Sequence, residues 1–226
     1  MSYLKKLLSA SAILTWATCT CHAETFHVDT QASRVYARVD AVRIGHNHGI
    51  EGKLKSSDVD LNGSGQLIID MQTFSADTPV ARSYVGLEGE VSGSDRKQTT
   101  ENMHSADVLD VIRYPRSIFE ISSITPPKGK SVGQSGDYTV SGTFTLHGTK
   151  RPLTFAAKID PAPGRKDGAL RMRGAFKVKQ TDYGMTPYSA LAGLAKVSND
   201  VTIWGDVILV SAADPIASNQ GNGATR

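Results

Sequence analysis

The run Tyr138–Thr139–Val140–Ser141–Gly142–Thr143–Phe144–Thr145–Leu146–His147, the connection Gly148–Thr149–Lys150–Arg151–Pro152 and the run Leu153–Thr154–Phe155–Ala156–Ala157–Lys158–Ile159 decide the fold. In the first run Val140, Phe144 and Leu146 share one face, with Thr139, Ser141, Thr143 and Thr145 on the other. In the second, Leu153, Phe155, Ala157 and Ile159 alternate with Thr154, Ala156 and Lys158. Alternation of this kind marks a half-buried strand. The short Gly- and Pro-containing connection makes the two strands antiparallel neighbours.

The same pattern extends outward in both directions. Leu170, Met172, Phe176 and Val178 alternate with Arg171, Arg173, Lys177 and Lys179, and Val201, Ile203, Val207 and Leu209 form a final strand. Upstream, Leu67, Ile69 and Met71 oppose Gln66 and Asp70, and Val35, Ala37 and Val39 alternate with Arg34, Arg38 and Asp40. Ile50 to Leu54 and the stretch around Phe119 and Ile121 complete about eight strands. Helical periodicity is confined to Glu101–Val111, where Met103, Val108 and Val111 would share the face of a short helix. Eight one-faced antiparallel strands must close on themselves or stack as two sheets. A closed barrel of this size holds side chains or one small ligand. Asp77 to Thr100 is polar and long for a connection, and reads as a functional loop, a lid or disorder.

The chain has 226 residues, with 25 Lys and Arg against 22 Asp and Glu. That balance gives no basis for nucleic-acid binding. Residues 1–23 read as a secretory signal peptide: Lys5 and Lys6 precede an uncharged apolar run from Leu7 to Ala17, too short to span a bilayer, and cleavage is expected after Ala23. Loss of the two lysines leaves 23 basic residues against 22 acidic ones, a charge of +1, and loss of Cys19 and Cys21 leaves no cysteine. The mature chain is therefore read as an exported, periplasmic domain independent of disulfides. The alternatives for this segment are a lipoprotein acylated at Cys19 or Cys21 and a buried N-terminal helix. Residues 24–210 form the domain, and residues 211–226, small and polar, read as a disordered tail.

Three segments together resemble the YceI-like family of exported lipid- or polyisoprenoid-binding proteins. They are Val108 to Phe119, with its Tyr114–Pro115 turn; Tyr138 to Leu153, with its His147–Gly148 turn; and Phe176 to Met185, with Thr181–Asp182–Tyr183–Gly184. The opening Phe26–His27–Val28–Asp29 fits the family as well. Gln180 stands where the family commonly has Arg before the Asp–aromatic–Gly turn, and Gly45–His46–Asn47–His48 resembles one branch of it. The resemblance implies an all-β, lipocalin-like closed antiparallel barrel with a short helix near one mouth. It also implies a lumen for a long-chain amphiphile of polyisoprenoid, quinone or fatty-acid type. At ~0.8 kcal/mol per buried CH₂, a tail of about a dozen carbons would reach sub-micromolar affinity.

The expected lumen residues are Leu67, Ile69 and Met71; Phe119 and Ile121; Phe144 and Leu146; and Phe155, Met172, Phe176 and Ile203, with Met103 and Tyr183 near the mouth. His46 and His48, two apart in an extended segment, point to one side and could give two nitrogens to zinc or copper, with His104 and His147 as candidate further ligands. The competing reading of these histidines is hydrogen-bonded turn residues or contacts to a ligand head group; for His147 it is a bond that holds its turn. Arg113, Arg116 and Arg151 could meet a phosphate at the mouth, whereas Arg171 and Arg173 fall on the outer face. Asp107 and Asp110 read as solvated or capping. There is no Gly-x-Ser-x-Gly elbow, phosphate loop or dinucleotide fingerprint, so the chain reads as a carrier and not an enzyme, with a homodimer left open. A metal-handling protein and a stress-response or adhesion barrel with a side-chain-filled interior are the two alternatives.

Overall fold

The computed structural model describes residues 25–212. Residues 1–23, read as a signal peptide, lie outside them, as does the tail beyond Ala212. Ser211 itself belongs to the last strand, where it pairs with Phe26.

The strands are β1 (Thr25–Val28), β2 (Arg34–Ala41), β3 (His48–Leu54), β4 (Asp58–Asp60), β5 (Ser64–Ala76), β6 (Arg116–Thr125), β7 (Gly136–Leu146), β8 (Thr149–Pro161), β9 (Leu170–Lys179), β10 (Ser189–Ala190) and β11 (Ala195–Ser211). Eight of them close into an antiparallel barrel in the order β5, β3, β2, β11, β9, β8, β7, β6, with β6 returning to β5. Most neighbours are consecutive because each strand is one-faced and most connections are short; the exception is the β5–β6 connection, residues 77–115. β1 and β4 pair with each other and with β11 and β5, closing one end.

The interior is layered. The closed end is solid with Phe26, Val59, Tyr138, Val140, Ile159 and Leu209. The middle is aromatic: Phe144 meets Phe176 and Tyr183 edge-on, and Phe155 packs against Phe119 and Phe176. Glycines make room for these rings. A Cβ on Gly142 would stand 2.9 Å from Phe119, and one on Gly174 would stand 2.6 Å from Phe155.

One seam is incomplete. β8 pairs with β7 along nearly its whole length, but with β9 only from Ala157↔Gly174 to Pro161↔Leu170. Above that point the half-buried Phe155 and Phe176 close the wall, their ring centroids 5.2 Å apart. Arg151 Nε donates to the Asp182 carbonyl across the top at 3.0 Å.

The segment Asp77–Thr100 is not a loop. It carries α1 (Pro79–Tyr84) and most of α2 (Gly93–His104). Thr78 caps α1 by accepting from the Ala81 amide, with Pro79 in the first turn, and Ser92 caps α2 by accepting from the Asp95 amide. α1 lies outside the barrel, where Tyr84 stacks on Tyr36 of β2 at 3.7 Å and Ala81 and Val85 are buried. α2 is fixed to β5 by the Ala76 amide donating to Thr100 Oγ1 and by His104 Nε2 at 2.8 Å from the Phe74 carbonyl.

The helix expected over Glu101–Val111 is displaced. α2 ends at His104, Ser105 is extended, and Asp110 has φ 45°. Residues 105–111 are turns that fold back on the helix end, with Leu109 N–H bonding to the Met103 carbonyl. Asp110 Oδ1 accepts from the Arg113 amide at 3.4 Å inside the turn before β6, so it caps no helix.

Candidate functional site

The strand ends under α2 surround a cavity of about 180 Å³. Its walls are Ala37 and Val39 of β2, His48 and Ile50 of β3, Met71, Phe74 and Ala76 of β5, Leu146, Val178, and Val197, Val201 and Ile203 of β11. Thr99, Asn102 and Met103 of α2, Val108, Leu109, Met185 and Tyr188 cover it. A second hollow of about 50 Å³ lies deeper, among Val35, Leu54, Leu67, Ile69, Phe119, Phe144, Phe155, Met172 and Phe176. Ile203 lines both.

The expected lumen residues therefore fall into two groups. Met71, Met103, Leu146 and Ile203 line the larger cavity. Leu67, Ile69, Phe119, Phe144, Phe155, Met172 and Phe176 line the deeper hollow with Ile203. Ile121 and Tyr183 line neither: both are buried in the core, and Tyr183 packs on Phe144 instead of standing at a mouth. Sequence reasoning missed Phe74, Val178, Met185 and Val197. Phe74 is inward because β5 bulges: Glu51 pairs with Ser75 and Lys53 with Asp70, which leaves residues 71–74 unpaired with β3. The bulge turns Phe74 over Gly52, where a Cβ would stand 2.2 Å from the ring.

A cavity of about 150 Å³ lined by apolar side chains stays dry and binds benzene. The 180 Å³ measured here thus suits about half a dozen carbons, fewer than the dozen expected from sequence. Polar groups on the wall are few. Gln180 is buried, with Nε2 donating to the Ser198 carbonyl at 2.7 Å, so the residue replacing the family's usual Arg is held to the barrel wall.

A polar cluster borders the cavity through His48. Asp77, fully buried at φ 54°, follows β5 directly. Its Oδ1 accepts from the Gly49 amide at 3.1 Å and from Arg82 Nη1 at 3.0 Å. Its Oδ2 lies 2.7 Å from His48 Nδ1 and 3.2 Å from His46 Nε2. Burial alone would raise the Asp77 pKa, but hydrogen bonds from His48, Gly49 and Arg82 outweigh it and hold the carboxyl at about 2. Arg82 is fixed in turn by the carbonyls of Asn47, Glu88 and Gly89. The His46 and His48 rings are 4.6 Å apart, on one side as their spacing predicts.

The two candidate further ligands, His104 and His147, stay apart from this cluster. His104 is engaged with the Phe74 carbonyl, and His147, at φ 49°, packs its ring against Tyr114 at 4.2 Å. Neither joins His46 and His48, because α2 and the β7–β8 turn hold them at other points of the rim. The His147 ring packs on Tyr114, and its turn is closed by the Leu146↔Thr149 strand pairing, where a hydrogen bond from His147 was expected. Among the arginines, Arg171 pairs with Asp206 and Arg173 with Asp160 on the outer face as expected. Arg113 lies over the Tyr114 ring, Arg151 donates to the Asp182 carbonyl, and Arg116 is exposed. None of the three lines the cavity.

A closed antiparallel barrel with an apolar cavity at one end and a short helix across it defines a lipocalin-like binding barrel. The YceI-like domain model matches residues 26–208, and the chain belongs to that family. Protein YceI of Salmonella arizonae is 23% identical over 180 residues, covering 77% of this chain and 83% of that protein. A UPF0312 protein of Azotobacter vinelandii is 29% identical over 119 residues; the match covers 50% of this chain and 57% of that protein. Among solved structures, a polyisoprenoid binding domain from Saccharophagus degradans superposes with a TM-score of 0.56 at 15% identity, covering 82% of this chain and 98% of that one. Burkholderia cenocepacia BcnA superposes at 0.54 and 18%, covering 80% and 98%. At these identities the likeness is one of fold.

Proposed function

We propose that this protein is a periplasmic carrier that sequesters the tail of a long-chain amphiphile, without catalysing a reaction on it. The observation that carries the reading is the cavity under α2, about 180 Å³ and walled almost wholly by aliphatic and aromatic side chains. Membership of the YceI-like family, whose resemblance implies a lumen for an amphiphile, supports it, and one structural relative is described as polyisoprenoid-binding. Roughly six carbons buried there contribute about 5 kcal/mol at ~0.8 kcal/mol per CH₂. Ile203 lines both hollows, so a longer tail that moved this side chain aside would gain more by reaching the deeper one. Export suits such a role, since an amphiphile must cross water between envelope membranes. A stable, preformed pocket needs no reacting group to act as a carrier.

The test is native mass spectrometry of protein purified from its own periplasm, followed by denaturation, solvent extraction and lipid analysis. One amphiphile per chain, displaced by an added fatty acid, is the expected result. Protein that copurifies with no lipid and shows no uptake of fatty acid or isoprenoid would overturn the reading in favour of a structural barrel.

A further inference from the structure

We propose that His46, His48 and Asp77 form a binding site for one divalent transition-metal ion at the rim of the apolar cavity. The edges of the cluster match a metal's coordination sphere. A tetrahedral ion with bonds of about 2.0–2.1 Å holds its ligand atoms about 3.3 Å apart. Asp77 Oδ2 lies 3.2 Å from His46 Nε2 and 2.7 Å from His48 Nδ1, and one ligand atom from each residue lies within 4.8 Å of the others. Small rotations of two imidazole rings bring all three edges to the required length. Among the described residues no other group of three His, Cys, Asp or Glu side chains converges in this way.

The donor set selects the ion. Two imidazoles and one carboxylate suit zinc, iron, cobalt or copper; calcium and magnesium prefer shells made of oxygen. The carboxylate is preset for the task. Gly49 and Arg82 occupy Oδ1, so Oδ2 is aimed at the two histidines, and groups that orient a ligating carboxylate in this way are integral to metal sites. The chain also bears backbone strain to place Asp77, which is a non-glycine residue in the left-handed region. His46 is half exposed, which gives an ion a route in and leaves a fourth position open to water. Arg82 bonds to Oδ1 and leaves Oδ2 to the ion, which must displace any proton that either imidazole presents to Oδ2.

The experiment uses the untagged mature protein, with Zn²⁺ measured by titration calorimetry and native mass spectrometry and Co²⁺ by its visible absorption. The expected result is one Zn²⁺ per chain and a Co²⁺ spectrum of tetrahedral or five-coordinate type. His46→Ala removes a half-exposed ring and leaves the buried anchors in place; it should weaken Zn²⁺ binding by more than roughly tenfold. His104→Ala, a histidine outside the cluster, should leave it unchanged. Absence of stoichiometric Zn²⁺ or Co²⁺ binding, or binding that His46→Ala does not weaken, overturns the proposal and leaves the cluster as a hydrogen-bonded anchor for α1.

Discussion

Ile203 lines both hollows, so its truncation tests whether they join into one lumen. Ile203→Ala removes three carbons from a buried position that borders about 180 Å³ on one side and about 50 Å³ on the other. Ile→Ala in a core costs about 2–5 kcal/mol, set by how far the surroundings collapse. Here the neighbouring strands are tied into a closed barrel and cannot collapse, whereas the existing voids mean that fewer packed contacts are lost. We expect about 3 kcal/mol, a fall in Tm of about 6–12 °C for a domain of this size. The joined lumen should then admit about three more methylenes. At ~0.8 kcal/mol each, every added methylene raises affinity roughly fourfold, or about sixtyfold over three. Displacement titrations with straight-chain fatty acids of increasing length measure this. The variant's affinity should keep rising beyond the length at which the parent levels off, and the longer acids should restore its lost Tm. A length optimum unchanged by the substitution refutes the single-lumen reasoning, and an unchanged Tm refutes the packing estimate.

Four further outcomes follow from particular contacts. Gly52→Ala places a methyl where the Phe74 ring now lies and forces that ring toward the cavity; the cost is about 1–3 kcal/mol by overpacking, with weaker fatty-acid binding in the same titration. Tyr84→Ala removes the stack on Tyr36, worth roughly 0.5–1.5 kcal/mol beyond the area it buries; hydrogen exchange should speed up in α1 while the barrel strands keep their protection. For Asp29, burial opposes ionisation, but the amides of Ala32 and Gln31 and the Arg165 guanidinium outweigh it and hold its pKa below the usual carboxylate value. Its contribution is therefore fully present above pH ~3.8 and lost as pH falls through the folded-state value; Asp29→Asn should lower stability at neutral pH and flatten the acid limb of the unfolding curve. Phe155→Ala removes one of the two rings that close the β8–β9 seam; stopped-flow displacement should show faster release of a bound fatty acid, and an unchanged rate would place the exit elsewhere.

The barrel was legible because its strands obey alternation. Leu67, Ile69 and Met71, or Val140, Phe144 and Leu146, point inward in the structure as they do on paper. Reading failed where the backbone breaks the period. After Met71 the next inward aromatic is Phe74, three residues on, and a strict two-residue count turns it outward. α1 and the first two turns of α2 were missed for a different reason. α2 buries only Met103 and α1 only Ala81 and Arg82, so neither carries an apolar stripe. Their start signals were nonetheless present: Thr78–Pro79 is a cap followed by a first-turn proline. Reading that signal would have made Asp77 the residue between a strand and a helix, and so a partner for the nearby histidines.

Space and polarity are divided along the barrel axis by the same sequence features. At the closed end, β1 and β4 bring extra strands across the opening, and branched and aromatic side chains fill every layer. In the middle, Gly142 and Gly174 let phenyl rings lie flat against the wall, which fills most of the width. Toward α2 the wall residues become Ala37, Val39, Ala76 and Val201, too small to reach across, and the cavity follows from their size. The two weak points of the wall, the end under α2 and the unpaired stretch of β8 against β9, both adjoin hollow space, whereas the solid end is fully paired. The histidine–aspartate cluster borders the α2 end, and this puts a preorganised polar feature beside the cavity where a head group would remain as its tail goes in.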